Sequence, residues 1–213
     1  MNDQHPRIVL ASTSPRRRDL IQALGIPVAI EPSRTSEEVA PGTSPVAMVS
    51  ELAVRKAASI AEQRRGAIVI GADTTVEIDG QILNKPDDAR DAERMLRSLR
   101  GRQHQVHTGV AILAPDRAPV TEVMTSAVLM HPFSDGELHA YLATGESLDK
   151  AGAYGIQGAA GDIVESVTGC YTNVVGLPLC SVARCLIAAG ISITVSSPRC
   201  GFRTARHCPY WPT

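Results

Sequence analysis

Residues 7–17, with the sequence RIVLASTSPRR, decide how the chain begins to fold. Residues 7–11, which are apolar from Ile8 onward, predict a short buried strand. Ser14 and Pro15 then predict the start of a helix, because a serine side chain caps free N–H groups and proline fits the first helical position. A strand that turns directly into a helix favours an α/β fold.

The alternation of strand and helix continues along the chain, with hairpins between some elements. Asp79 and Gly80 form a dipeptide typical of a tight hairpin turn inside the predicted hairpin 75–83. We therefore predict an α/β fold with a mixed sheet and no internal repeat. Helices are predicted at 14–24, 44–65, from 87 or 88 to 100, 134–143 and 179–189, and further strands at 27–30, 67–70, 104–113, 120–130, 163–167 and 191–195.

Composition predicts one globular domain at 1–195. The 213 residues carry a net charge of −1, with 44% hydrophobic and 20% charged residues. This balance argues against intrinsic disorder and against a nucleic-acid binder that works by bulk charge. No apolar run approaches the length of a membrane span, and the short polar start has no secretory signal. Five cysteines without a CxxC pair favour neither a disulfide framework nor a zinc site, so a reduced, cytoplasmic location is expected.

Residues 196–213 differ from the rest of the chain in composition. They contain no acidic residue, three arginines, two of the five cysteines and the only tryptophan. They also lack a helical or a strand period. We predict that they form an appended tail of uncertain order, outside the core.

The turn at 12–17 is a candidate anion site. It combines the hydroxyl of Ser12 and N–H groups at a helix start with the guanidinium groups of Arg16 and Arg17. Arg17 falls at helical spacing with Leu24 and points partly inward. Taken alone, a capped helix start with basic residues explains the same pattern.

Two of only three lysines stand at unusual positions. Lys56 shares a predicted helix face with apolar residues at 49, 52, 53 and 60, so it must be paired, snorkel to solvent or face a pocket. Lys85 precedes Pro86, which restricts its backbone to extended conformations just before a helix. The alternative for Lys85 is a solvated lysine in a loop.

Asp73 and Gln157 complete the set of candidate site residues. Asp73 follows the predicted strand 67–70, and ligands bind at the carboxyl ends of strands in open α/β sheets. Gln157 lies in the stretch 149–158, DKAGAYGIQG, whose small residues let the backbone approach a flat ligand while the amide reads a base edge. The alternatives are a turn or helix cap at Asp73 and a flexible surface loop at 149–158.

Common signatures of other enzyme classes are absent from the sequence. It contains no P-loop, no HExxH and no GxGxxG after a strand. His104 and His107 are three residues apart in an extended run, so they are expected to face opposite ways and not to form a metal pair.

The order and wording of these motifs together resemble the Maf family of nucleoside triphosphate pyrophosphatases. The resemblance covers about residues 7–195 and stops at the tail. It implies a two-lobed mixed α/β fold with a central cleft, like that of the ITPases, and often a homodimer. The motifs that carry it are LASTSPRR, Lys56-Ala57, GADTT, Lys85-Pro86, HQVHTGV at 104–110, DKAGAYGIQG at 149–158 and NVVGLPL at 173–179.

The resemblance implies hydrolysis of a nucleoside triphosphate between the α and β phosphates, with Mg²⁺ or Mn²⁺ as cofactor. It implies that Asp73 is the catalytic acidic residue, which acts on the attacking water or the metal, and that Glu38 helps Asp73 to hold the metal. The remaining candidates divide into groups by role: Lys56 and Lys85 act on the phosphates in catalysis, Ser12, Arg16 and Arg17 bind the triphosphate, and Gln157 helps to select the base.

Three short motifs favour one branch of the family. SPRR, GADT and IQG resemble the members that act on dTTP and UTP, whereas members that act on 7-methyl-GTP tend towards a tryptophan after SP, GSDQ and SEG. Two positions depart from the usual pattern. Asn84 stands where a glycine usually precedes the Lys-Pro pair, and Thr75 stands where valine is more usual.

Two alternatives to a dTTP and UTP pyrophosphatase stay open at this point. One is the same chemistry with 7-methyl-GTP as substrate, which a nucleotide panel separates through kcat/KM. The other is a regulator that arrests cell division by binding rather than by catalysis, for which the sequence shows no partner surface.

Overall fold

The computed structural model describes residues 8–193, 199–201 and 206–212. Two 3₁₀ helices, at Ala151–Ala153 and Ala159–Asp162, accompany the longer elements. In this part of the chain the strands are β1 (Ile8–Ala11), β2 (Val28–Glu31), β3 (Ile68–Ile78), β4 (Gln81–Leu83), β5 (Gln103–Leu113), β6 (Val120–Met130), β7 (Val164–Thr168), β8 (Arg199–Cys200) and β9 (Arg206–His207), and the helices are α1 (Pro15–Gln22), α2 (Pro45–Ala61), α3 (Ala89–Leu99), α4 (Asp135–Ala143), α5 (Tyr171–Val175) and α6 (Leu179–Ala188).

The strands form a seven-stranded mixed sheet in the order β2-β1-β3-β5-β6-β7, with β4 paired to β3. β1 runs parallel to both β2 and β3, whereas β3, β5, β6 and β7 pair antiparallel. The prediction of an α/β fold with a mixed sheet is confirmed. The parallel part and the antiparallel part share β3, so this strand joins the two parts of the sheet.

Asp73 lies inside β3 and not at the end of a strand. β1 pairs with β3 only as far as Ala11 and Gly71, and β3 then continues through Asp73 to Ile78, antiparallel to β5. The predicted strand 67–70 and the first arm of the predicted hairpin are therefore one element. Pairing with β5 holds this continuation in place, and the β-branched residues at 74–76 are compatible with it because they favour extended backbone. Asp73 stands two residues beyond the last pair that β3 makes with β1.

The predicted helix starts and the predicted hairpin turn are confirmed. Ser14, Ser44, Asp88 and Ser134 each cap a helix with a side-chain oxygen, and Ser134 also forms a capping box. Asp79 and Gly80 have φ values of 53° and 76° and connect β3 to β4, as a tight hairpin turn requires. Helix α2 ends at Ala61, four residues before the predicted end. The residues at 62–66 form turns instead.

Helix α2 packs directly across β3 and β5. Gly71 and Gly109 permit this close approach, since a Cβ atom at either position would collide with the main chain of α2. The apolar face of α2 is buried at Val49, Leu52 and Ile60. The same contact brings residue 56 of the helix next to residue 73 of the strand.

Part of the C-terminal segment contacts the domain. Cys208 is buried with Cys170 and Cys180, and Trp211 packs against the same group. These residues thus pack on the domain, although the sequence predicts the whole segment to lie outside its core. The predicted strand 191–195 falls partly outside the described residues, and 191–193 are not in a strand. The domain boundary at residue 195 stays a prediction.

Among the described residues, no helix is long and apolar enough to cross a membrane.

Candidate active site

A cavity of about 340 Å³ opens beside the β1–α1 turn. Its polar lining comes from that turn, from α2 and the loop before it, from the segment before α3 and from the loop after α4. Its apolar lining comes from the sheet, from the loop after α4 and from α5. The polar side chains include Ser12, Arg16, Arg17, Glu37, Lys56, Lys85 and Gln157, and the apolar ones include Val76, Val106, Tyr154, Ile156, Val174 and Val175.

The β1–α1 turn is held by its own polar groups. The Ser12 N–H donates to the carbonyl of Glu31, 2.9 Å away, and the Ser12 hydroxyl accepts from the Ser14 N–H at 3.1 Å. The Ser14 hydroxyl in turn accepts from the Arg17 N–H and caps α1. This bonding fixes the turn and the start of α1 as one wall of the cavity.

Arg17 points inward and ties three elements together. Its Nε donates to the carbonyl of Gly176 at 2.8 Å, and its Nη2 donates to the hydroxyl of Thr74 at 3.0 Å. Burial lowers the pKa of Arg17, with Asp73 acting in the opposite direction; an arginine still keeps its charge at neutral pH. Arg17 therefore places a positive charge between α1, β3 and the end of α5.

Arg16 points elsewhere, towards the rim of the cavity. Its Nη1 lies 3.3 Å from Oδ2 of Asp149, and the Asp149 side chain is 62% exposed. The pair bridges the start of α1 and the loop that contains Gln157.

Lys56 is paired and also faces a pocket, so two of its three alternatives hold together. Its Nζ donates to Oδ1 of Asp73 and to Oε1 of Glu37, both at 2.6 Å. The Lys56 side chain is only 12% exposed, and it lines the cavity rather than snorkelling to bulk water. One ammonium thus connects two carboxylates that are far apart in sequence.

The two carboxylates have opposite pKa shifts. Burial raises the pKa of Asp73, and the charge and hydrogen bond of Lys56 only partly offset this effect. Burial also raises the pKa of Glu37, but the Lys56 hydrogen bond and the charges of Lys56 and Lys85 outweigh it, so the pKa of Glu37 is lowered. The difference follows exposure, because the Asp73 side chain is 10% exposed and that of Glu37 is 53% exposed. Asp73 is the better proton acceptor of the two.

The structure brings Glu37, not Glu38, to this cluster. Glu38 is exposed, and its main-chain carbonyl accepts a hydrogen bond from Arg55 at 2.7 Å. Sequence reasoning missed Glu37 because the two acids are adjacent in an irregular loop, where no periodicity shows which side chain turns inward. The two adjacent acids in the sequence identify the loop, but they do not show which of the two side chains faces the cavity.

Lys85 and Gln157 both line the cavity, as do Ser12, Arg16, Arg17 and Lys56. Lys85 is close enough to Glu37 for its charge to lower the pKa of that carboxyl. Gln157 is hydrogen-bonded to the side chain of Tyr171. The Asp73 carboxylate lies directly beside the cavity-lining Lys56 ammonium, and its side chain is 10% exposed. Thr74 is a further lining residue that the sequence reading did not single out.

The donor set of this cluster suits a hard divalent cation that arrives with a substrate. No group of three potential ligands among the described His, Cys, Asp and Glu residues could hold a metal ion by itself. Asp73 and Glu37 supply two carboxylates at one place, and Mg²⁺ is usually held by one or two carboxylates together with water and substrate phosphates. The residues therefore fit a metal ion completed by a polyphosphate.

The chain is similar to several known proteins. A family model described as Maf-like protein matches residues 7–189. A protein of Moorella thermoacetica called dTTP/UTP pyrophosphatase is 47% identical, over 88% of this chain and 97% of its own. A protein of Geobacter sp. with the same description is 48% identical, over 86% and 95% of the two chains. Among solved structures, a HAM1 protein from Coxiella burnetii is 18% identical with a TM-score of 0.44, over 73% and 90% of the two chains.

Proposed function

Since the chain belongs to the Maf-like protein family, we propose that it hydrolyses nucleoside triphosphates, above all dTTP and UTP, to the nucleoside monophosphate and pyrophosphate. The observation that carries the proposal is the Lys56 ammonium bound to both Asp73 and Glu37 beside a cavity that Arg17 and Lys85 also line. A buried aspartate and a second, more exposed carboxylate beside several cations are groups that hydrolysis of a polyphosphate can use.

The cations account for binding and for stabilisation of the leaving group. Arg17, Lys56 and Lys85 line one cavity, and the N–H groups at the start of α1 add a partial positive charge. These groups hold the triphosphate in place, and they stabilise the negative charge that develops on pyrophosphate as it leaves.

Asp73 is the proposed general base. Its raised pKa brings it closer to neutral pH than an ordinary aspartate, which favours proton transfer in catalysis. The Asp73 carboxylate takes a proton from a water molecule, the water oxygen bonds to the α-phosphorus, and the bond from that phosphorus to the α–β bridging oxygen breaks. Asp73 and Glu37 would hold a divalent cation, which when bound neutralises phosphate charge and makes water more acidic.

The apolar lining and Gln157 account for recognition of the base. Val106, Tyr154 and Val174 offer a surface for the faces of a flat ring, while the Gln157 amide both donates and accepts hydrogen bonds. The similarity to relatives called dTTP/UTP pyrophosphatases supports thymine and uracil as the bases. A homodimer and a cytoplasmic location stay predictions.

A nucleotide panel with added Mg²⁺ or Mn²⁺ tests the proposal. We expect pyrophosphate release with the highest kcat/KM for dTTP and UTP, and a loss of at least a hundredfold in Asp73→Asn. Asp79→Asn is the matched control, since Asp79 lies in the exposed hairpin turn and asparagine tolerates its positive φ. A preference for 7-methyl-GTP would reject the proposed substrates, and full activity of Asp73→Asn would reject the catalytic assignment.

A further inference from the structure

Asn84 connects two walls of the cavity. Its side-chain Oδ1 accepts a hydrogen bond of 2.9 Å from the Thr75 hydroxyl on β3, and its main-chain carbonyl accepts one of 3.2 Å from the Gly152 N–H. Gly152 begins the loop that leads to Gln157. Asn84 is also the residue directly before Lys85. One side chain and its adjoining carbonyl therefore link β3, the base-contacting loop and a phosphate-binding lysine.

The bond to Thr75 is anchored in the core. Thr75 is fully buried, and a buried hydroxyl needs a hydrogen-bond partner. Asn84, which is itself exposed, supplies that partner. Thr75 is two residues after Asp73 in the same strand, so both side chains lie on one face of the sheet. The anchor point is thus rigid and close to the proposed general base.

Little freedom remains between this anchor and Lys85. Pro86 is buried and restricts the backbone of Lys85 to extended conformations. On the other side, Gly152 has a φ of +68° and packs so tightly against Val76 that an added Cβ would lie 3.0 Å from a Val76 methyl group. The direction in which Lys85 leaves the backbone therefore depends on how Asn84 is held.

The hydrogen bond between Asn84 and Thr75 needs both side chains. A valine has no hydroxyl to donate, and a glycine has no side chain to accept. A change to valine at 75 or to glycine at 84 therefore removes the bond. Asn84 does not have a positive φ, so the backbone freedom of glycine is not needed here.

We propose that Asn84 is a positioning residue that, through Thr75 and Gly152, sets Lys85 against the phosphates and couples it to the loop that contacts the base. This inference rests on the proposed function. Because Lys85 stabilises charge on the leaving pyrophosphate, a misplaced Lys85 lowers kcat more than it raises KM.

A double-mutant cycle with dTTP tests the coupling. Thr75→Val and Asn84→Gly remove the two halves of one bond, so each is expected to lower kcat about three- to tenfold with KM within about twofold. The double variant should be no slower than the slower single variant, since the same bond is lost only once. Thr75→Ser keeps the hydroxyl and should retain wild-type kcat. Additive losses, or wild-type kcat in both single variants, would overturn the inference.

Hydrogen exchange gives a readout that does not depend on activity. Asn84→Ala, at an exposed position that folding tolerates, should speed amide exchange in a peptide that covers 150–158, because the carbonyl that binds the Gly152 N–H is held less firmly. Unchanged exchange in that peptide would also overturn the inference. Absence of dTTP hydrolysis by the wild-type protein would reject the proposed function instead, so the two failures are distinguishable.

Discussion

Nζ of Lys56 lies 2.6 Å from Oδ1 of Asp73, although the two residues belong to different elements. The helix that carries Lys56 crosses the strand that carries Asp73 at Gly71, where a larger residue would push the two apart. Both side chains are almost fully removed from water, at 12% and 10% exposure. A charge in such a place is strongly unfavourable without a partner, so each residue makes the burial of the other possible.

Lys56→Met is expected to lower kcat/KM for dTTP at least a hundredfold. The variant removes a cation from the phosphate site and leaves Asp73 and Glu37 without their shared partner. Lys56→Arg keeps the charge, and we expect it to recover thermal stability but only part of the activity, because a planar guanidinium does not reproduce the ammonium geometry. Steady-state kinetics and thermal melts on the three proteins give the answer. A Met variant with kcat/KM within threefold of wild type would contradict the proposed role.

Glu37→Gln and Glu38→Gln form a matched pair that tests which acid serves the site. Glu37 contacts Lys56, whereas Glu38 is exposed and uses its carbonyl to bind Arg55. We expect Glu37→Gln to lower kcat/KM at least tenfold and to raise the Mg²⁺ concentration that gives half-maximal activity. Glu38→Gln should stay within twofold of wild type on both measures. The reverse result would support the assignment that the sequence suggests.

Local chemistry explains most of what could be predicted from the sequence. Ser14, Asp88 and the Asp79-Gly80 dipeptide act on neighbouring backbone groups, so their caps and turn are confirmed. The interruption of an apolar helix face by Lys56 likewise predicts a special environment for that residue, and the structure shows a pair of carboxylates there.

The features that could not be predicted are non-local. That β3 runs unbroken through Asp73 depends on pairing with β5, more than thirty residues later in sequence. The choice of Glu37 over Glu38 depends on the path of an irregular loop against α2. The contact of Cys208 with Cys170 depends on how the last residues return to the domain. Composition and periodicity contain no information on such long-range contacts.

Gln157→Ala is expected to weaken selection of the base. The amide lines the cavity and has both a donor and an acceptor, and a site built to hydrogen-bond a base discriminates strongly through such groups. We expect kcat/KM for dTTP and UTP to fall about tenfold, and the ratio of kcat/KM for dTTP over dGTP to fall with it. Gln81→Ala, at the exposed first residue of strand β4, is the control and should leave both unchanged. If the Gln157 variant kept the wild-type ratio, base selection would have to be assigned to other residues.

The buried pair of His104 and Tyr154 predicts a specific dependence of stability on pH. Nε2 of His104 lies 2.7 Å from the Tyr154 hydroxyl, and burial lowers the pKa of His104 from 6.5 to about 4. Between these two values the unfolded chain binds a proton that the folded protein does not. The contribution of neutral His104 to the free energy of unfolding is therefore complete above pH 6.5. It falls by about 3 kcal/mol in all as the pH falls towards 4.

His104→Gln removes the titrating group while keeping a hydrogen-bonding side chain beside Tyr154. In urea unfolding at pH 7.5, 5.5 and 4.5, we expect the free energy of unfolding to fall with pH less steeply in this variant than in the wild type. His139→Gln is the control, because the His139 side chain is 60% exposed, and it should keep the wild-type slope. Parallel curves for the wild type and His104→Gln would show that His104 is not the source of the acid sensitivity. His104 would then bind its proton over the same pH range in the folded protein as in the unfolded chain.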